Sequence, residues 1–414
     1  MEWIINIGLA LLLLGLALGA SEMAARVWIR RFSRRYPFVP GSRQHFQLDL
    51  KTLPNMAGET RFEVSADGVR TEGGRRPQRG AGRVLLAGGS CAEGYLLDWP
   101  SSVAGIMERD LNRPEVLTEW GVPSVHVGSV ARSRTGAYAT NLILRDLLPR
   151  YGQLEAIVLM VGATDLVDWM EIGSPNPYTP KIPTEQETFP VARTIPFGWR
   201  PKQTALYQCV RRLRERWMRP ISRREQVGSR IGKVRSMRAA AQEIIDAVAD
   251  PEPMLRNFEH HLRMALEVAQ KHAKRVVLAR QPCYWKASYE PGETAMFWDS
   301  SVGNPYHEHT TRYYAHGLVA RLMEQTNDRA SALAMSMGIP VLDFMPHLPR
   351  TTTHYYDFYH FTPAGAQVVG DLITRKLLGR DLPAPLYTAD QDQCPISRPL
   401  PGRDPPHLSR PTRP

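Results

Sequence analysis

From Trp3 to Ala20 the chain reads WIINIGLALLLLGLALGA, without one charged side chain. A helix rises about 1.5 Å per residue, so about 20 apolar residues are needed to cross the hydrocarbon core of a bilayer. The segment predicts a transmembrane helix, with membrane contact through residues 3–20, and everything else must fold beyond it. A secretory signal would want a basic start and a shorter apolar core, whereas here only Met1 and Glu2 precede a long run. An uncleaved anchor is therefore expected, although Ala17, Gly19, Ala20 and Ser21 also supply the small residues of a cleavage site. Arg26, Arg30, Arg31, Arg34 and Arg35 follow directly, and by the positive-inside rule they would hold the following domain in the cytoplasm.

At 414 residues, 43% of them hydrophobic, the chain has ample material for a core. The formal charge of +11 is concentrated near the N-terminus, between Arg211 and Arg235, and in the tail. No zinc finger, RNP-like sequence or Lys-rich stripe accompanies it, so it favours anionic surfaces in general and no nucleic-acid partner is expected. Cys91, Cys209, Cys283 and Cys394 form no Cys-x-x-Cys pair, which argues against a zinc site and a disulfide framework. His307-Glu308-His309 would need further ligands that the sequence does not name, and no metal or cofactor is expected.

Four regions follow. Residues 1–35 are the anchor and its basic flank. Residues 36–82 read as an irregular linker with a short hairpin from Phe62 to Arg70, turned by Asp67-Gly68. Residues 83–382 form the main domain, interrupted at about 175–253 by an insertion of Pro-rich loops and the basic helical piece TALYQCVRRLRERW. Residues 383–414 are rich in Pro, Arg and Asp without periodicity and read as a disordered tail. Within the main domain the candidate strands are Val84–Ala87, Val125–Gly128, Ala156–Val161, Val276–Ala279 and Pro340–Leu342, apolar on both faces. They alternate with helical stretches such as Ala139–Pro149, Met254–Lys274 and His316–Met337, which predicts a parallel sheet covered by helices on both faces.

In such a sheet ligands bind beyond the carboxyl ends of the strands. Ser90 stands there, in Leu86-Ala-Gly-Gly-Ser-Cys-Ala-Glu-Gly94, where Gly88 and Gly89 permit a tight turn. Its hydroxyl would lie near free backbone N–H groups, fitting either a helix cap or a nucleophile. Gly162-Ala163-Thr164-Asp165 follows the third strand in the same way. Near the C-terminus, Asp357 and His360 lie three residues apart, close enough for the carboxylate to orient the imidazole and stabilise its protonated form. That pair fits a catalytic dyad or a capping aspartate beside an incidental histidine. Cys91 reads as a packed small residue; Trp169, Trp285 and Trp298 read as core or cap residues, with Trp169 near enough to border the site.

Taken together these blocks resemble the SGNH, or GDSL-type, hydrolase family, over roughly Phe62 to Leu378. Gly88-Gly89-Ser90 with Gly94 looks like its first block in the Gly-Gly-Ser form of membrane-anchored members, and Gly68-Val69-Arg70 like the Gly-x-Arg element upstream. Asp357-x-x-His360 with Phe361-Thr-Pro-Ala-Gly365 is similar to the last block, with Arg280-Gln281-Pro282 and Asn327 in support. The middle blocks depart: the second-block glycine reads Ala131, and the third-block asparagine reads Thr164. The resemblance implies a three-layer α/β/α, flavodoxin-like sandwich with a mainly parallel five-stranded sheet. It further implies Ser90 as nucleophile, His360 as general base, Asp357 as its orienting partner, and an oxyanion hole from the N–H groups of Ser90 and Ala131 with the Thr164 side chain. Losing one oxyanion donor typically costs about 3–4 kcal/mol, so the substitution at Thr164 weakens the site rather than abolishing it.

The function implied is a membrane-anchored serine esterase, acting on a small-molecule or glycan ester or an envelope component. An acyl (acetyl) transferase would use the same triad, and a catalytically degenerate glycan-binding or scaffold protein is the alternative that Thr164 raises. Family habit would place the domain outside the cytoplasm, against the five arginines.

Overall fold

The computed structural model describes residues 2–32, 34–190, 197–218, 222–290 and 292–387. In chain order the elements that position the site are helix α1 (Glu2–Phe32), strand β1 (Gly82–Gly88), helices α2 (Ser90–Glu93) and α3 (Val103–Leu111), strand β2 (Val125–Ser129), helix α4 (Ala137–Leu147), strand β3 (Leu154–Met160) and helices α5 (Ala163–Glu171) and α6 (Ala205–Met218). They continue with helix α7 (Glu252–His272), strand β4 (Ala273–Ala279), helix α8 (His316–Ser336), strand β5 (Val341–Leu342) and helix α9 (Pro363–Leu377).

The five strands form one parallel sheet in the order β5-β4-β3-β1-β2. Every residue of β3 is buried, as expected of a central strand that helices cover on both faces. The connection from β1 to β2 steps one way across the sheet, and those from β2 through β3 and β4 to β5 step the other way. Right-handed crossovers therefore set α3 on one face and α4, α7 and α8 on the other. The packing agrees, for α7 lies against α4 and α8, while the final helix α9 returns to pack on α3. This is the expected α/β sandwich. Its chain direction reverses at β1, so the crevice beyond the carboxyl end of β1 is the topological switch point.

The stretch read as an irregular linker contains a small sheet. Arg43–Leu48 pairs antiparallel with Glu59–Glu63 and parallel with Ser222–Val227, a strand from the insertion. The alternation in these strands is short, and a partner this far off in sequence cannot be read locally. The Asp67-Gly68 turn is present as a tighter element, with Val64 bridged to Arg70 and Gly68 at φ +71°. Residues 388–414, which hold most of the segment read as a disordered tail and include Cys394, lie outside the described residues; before them, Tyr387 Oη accepts the Arg350 N–H.

Helix α1 is long and apolar enough to cross a membrane, and its most apolar window is exposed throughout. Near its end, the Glu22 carboxylate accepts the N–H groups of Ala205 (2.7 Å) and Leu206 (3.0 Å), satisfying orphan donors in the first turn of α6. Arg26 closes the arrangement, donating to Glu22 (2.7 Å) and to the Gly198 carbonyl (2.9 Å).

Candidate active site

The turn after β1 is shaped by backbone crowding. A Cβ on Gly88, whose φ is +153°, would fall 2.0 Å from the Met160 carbonyl oxygen, so only glycine lets β1 end this close to β3. Gly89 then donates to that same carbonyl at 3.2 Å, and Ser90 becomes the first residue of α2. The Ser90 N–H has no intrahelical partner at that position, and among the described residues it donates to no other backbone carbonyl.

Across the crevice, Tyr355 bridges Phe361 and the Tyr356 N–H donates to the His360 carbonyl at 3.0 Å, closing a tight loop just before α9. Inside it the fully buried Asp357 accepts the N–H groups of Tyr359 (2.7 Å) and His360 (2.6 Å) on Oδ1. Its Oδ2 lies 2.5 Å from His360 Nδ1, and His360 Nε2 lies 2.7 Å from Ser90 Oγ. The three residues singled out in the sequence are thus in one hydrogen-bonded line across 270 residues of chain. Burial alone would lower the His360 pKa, but the charge and hydrogen bond of Asp357, with smaller contributions from Asp299 and Glu93, outweigh it and raise it to about 9. The Tyr356 ring stacks on His360 at 5.5 Å and 12°, and Trp298 stacks behind Tyr356 at 6.1 Å.

Ala131 and Thr164 both lie close to the turn that carries Ser90. Thr164 is buried on the first turn of α5, and its Oγ1 lies 3.1 Å from where a Cβ on Gly89 would stand. That hydroxyl makes no hydrogen bond among the described residues. Ala131 is fully buried between Val130 and Arg132, whose N–H groups donate to the carbonyls of Leu86 (2.9 Å) and Gly88 (3.0 Å); its own N–H stays outside that ladder.

Several residues bear on the site in ways the sequence did not show. Arg70, flagged only as part of a motif, is fully buried and donates to the carbonyls of Glu93, Gly94 (3.1 Å) and Leu97 (2.5 Å), with its guanidinium 4.4 Å over the Phe62 ring. It therefore holds the backbone that follows Ser90, and burial lowers its pKa to about 10. Asp165, next to Thr164, accepts the Ala137 N–H on both carboxylate oxygens at 3.1 Å, capping α4; burial pushes its pKa up to about 7 against that hydrogen bond. Asp299 places a second carboxylate in the field of His360 and Asp357; its Oδ2 is buried without a hydrogen-bond partner among the described residues, and burial followed by the Asp357 charge raises its pKa. An inward-facing carboxylate on a loop has no periodic signature, which is why Asp299 escaped notice.

The remaining sequence candidates are packing residues. Cys91 is buried, and burial pushes its thiol pKa well above the ordinary range, away from nucleophilic use. Trp169 is fully buried with Nε1 donating to the Pro175 carbonyl at 3.1 Å, so it belongs to the core. Asn327 pairs with the backbone of Gln281 through both ends of its amide (2.9 and 3.0 Å), fixing the end of β4.

No family model matches the chain, and no curated protein matches it. Among solved structures it is similar to a lipolytic protein of the G-D-S-L family from Desulfitobacterium hafniense, at 11% identity over 71% of this chain and 98% of that one, with a TM-score of 0.35. It is also similar to the acetylxylan esterase Axe2 from Geobacillus stearothermophilus, at 10% identity over 72% of this chain and 96% of the other, with a TM-score of 0.38. A lipase/acylhydrolase from Enterococcus faecalis shows 13% identity over 72% and 96%, with a TM-score of 0.34. Likenesses this distant carry no weight for function, and the chemistry must be read from the site itself.

Proposed function

We propose that this chain is a membrane-anchored serine hydrolase of SGNH type that cleaves ester bonds. The observation that carries the reading is the line Ser90 Oγ, His360 Nε2 and Nδ1, Asp357 Oδ2, at 2.7 and 2.5 Å, seated at the switch point of the sheet. In this mechanism neutral His360 takes the proton from Ser90 as its Oγ attacks the ester carbonyl. The carbonyl oxygen becomes an oxyanion, which the N–H groups of Ser90 and Ala131 and the Thr164 hydroxyl receive. Collapse expels the alcohol, protonated by His360, and leaves an acyl-serine. Water, deprotonated by the same ring, then releases the acid and restores Ser90. Asp357 keeps the ring in the required orientation and stabilises its charged form.

The site stands partly open, with the His360 side chain 19% exposed, and α1 would hold it near a bilayer. Both features favour an ester carried by a bulky neighbour of the membrane, such as an acylated glycan, over a lipid that must be swallowed whole. The test is labelling of the full-length chain, in detergent micelles, with a fluorophosphonate, alongside hydrolysis of p-nitrophenyl acetate. An adduct and turnover that both vanish in Ser90→Ala are expected. If labelling is absent, or unchanged in Ser90→Ala, the hydrolase reading fails.

A further inference from the structure

Glu93 is the last residue of α2, three positions after Ser90, and it is 2% exposed. Its Oε2 accepts the Ser133 N–H at 2.7 Å and also the Ser133 hydroxyl. Ser133 lies two residues beyond Ala131, in the connection from β2 to α4, and is itself exposed. The Glu93 carboxylate also offsets the charges of the buried Arg70 and of Arg132. What it does mechanically is tie the short helix that begins with Ser90 to the loop that begins with Ala131. At the loop's other end Asp165 accepts the Ala137 N–H, so that end is fixed to α5, the helix that carries Thr164. The three segments that supply oxyanion donors are thus joined pairwise through side-chain carboxylates.

We propose that Glu93 is a positioning residue for the oxyanion hole, acting through Ser133 to hold the Ala131 N–H in register with the Ser90 N–H. The inference rests on the hydrolase reading above. Oxyanion donors act through placement, and a displacement of about 1 Å can cost ~100-fold in rate. Glu93 touches no reacting atom, so its loss should appear in kcat and leave KM in place.

The test uses the full-length chain in detergent micelles with p-nitrophenyl acetate. Glu93→Met fills the same buried volume without an acceptor, and Glu93→Gln keeps one. Ser133→Ala, at an exposed position, removes only the hydroxyl donor and guards against a Glu93 variant that fails to fold. The expected result is a kcat about 10–100-fold lower in Glu93→Met, with KM within twofold and substantial recovery in Glu93→Gln. Ser133→Ala should show a smaller loss that disappears in the Glu93→Met background, because both act through one contact. Ser90-dependent turnover with kcat within twofold of wild type in Glu93→Met, or losses that simply multiply in the double variant, would overturn the assignment and leave the hydrolase reading standing. If Glu93→Met does not fold, an undiminished kcat in Ser133→Ala overturns it instead. Absence of any Ser90-dependent turnover or labelling in the wild type removes both.

Discussion

Thr164→Val is the sharpest perturbation the site allows. Valine keeps the branched shape and the preferred rotamer of threonine while replacing the hydroxyl with a methyl. Because Thr164 Oγ1 makes no hydrogen bond among the described residues, the exchange orphans no partner, and at 9% exposure it removes no fully buried polar group. Folding stability should therefore change by about 0.5 kcal/mol or less. The catalytic cost is of another order. Loss of one oxyanion donor removes about 2.7–4 kcal/mol from the transition state, a factor of ~10²–10³ at 1.36 kcal/mol per decade. A neutral hydroxyl belongs at the lower end, so a kcat about 100-fold below wild type is expected, with KM unchanged. Steady-state hydrolysis of p-nitrophenyl acetate gives the two constants separately, and a thermal melt by circular dichroism checks the fold. A Thr164→Val enzyme that melts like wild type and keeps kcat within threefold would refute the claim that this hydroxyl serves the oxyanion.

Other outcomes follow from the same geometry. Catalysis needs His360 neutral, and its pKa is raised to about 9, so kcat/KM should climb with pH through a limb near 9; Asp299→Asn removes one of the negative charges that raise it and should move that limb to lower pH, an idea a limb at 6–7, or one that does not move, would sink. In Gly88→Ala the new Cβ would meet the Met160 carbonyl oxygen at 2.0 Å, so the variant should fail to accumulate as folded protein, and a melt within a few degrees of wild type would contradict the packing described. Glu22→Ala removes the acceptor for the first two amides of α6 while leaving the Thr204 cap on Tyr207, at a cost of roughly 1 kcal/mol, so the Ala205 and Leu206 amides should exchange with deuterium about fivefold faster; unchanged exchange would show that the contact does not hold the helix to α1. Gly89→Ala would crowd Thr164 Oγ1 at 3.1 Å and should lower kcat about tenfold, but should add nothing in a Thr164→Ala background; fully additive losses would separate the two residues.

What the sequence discloses and what it hides divide along a physical line. Val84–Ala87 and Ala156–Val161 could be read as buried strands because a central parallel strand is apolar on both faces over a short run. Ser90, Asp357 and His360 stand at turns whose glycines and helix starts are locally marked, and they meet within 2.7 Å. The small sheet that joins Arg43–Leu48 to Ser222–Val227 was not legible, because Phe46 and Leu48 alternate with Gln47 over only three positions and the partner strand lies across the insertion. Trp169 could be read as a core or cap residue, and on α5 it is indeed turned into the core. Arg70 stood in a motif, but its work, donating to carbonyls from Glu93 to Leu97, shows only once the turn after Ser90 has a shape.

Thr164 looked like a simple deficit when set against an asparagine, and the structure changes the terms of that comparison. A threonine hydroxyl reaches less far than an asparagine amide, so it can serve the same oxyanion only if its backbone comes nearer or if the residue beside the nucleophile gives way. The position before Ser90 is Gly89, without a side chain, and the Thr164 hydroxyl stands 3.1 Å from where that side chain would begin. A first block reading Gly-Asp-Ser would put an aspartate Cβ into this space. The missing side chain at residue 89 and the short one at residue 164 are therefore complementary: the glycine makes room that the threonine occupies. In the proposed hydrolase the Gly-Gly-Ser turn and Thr164 therefore work as one unit, and exchanging either residue alone should disturb the oxyanion contact.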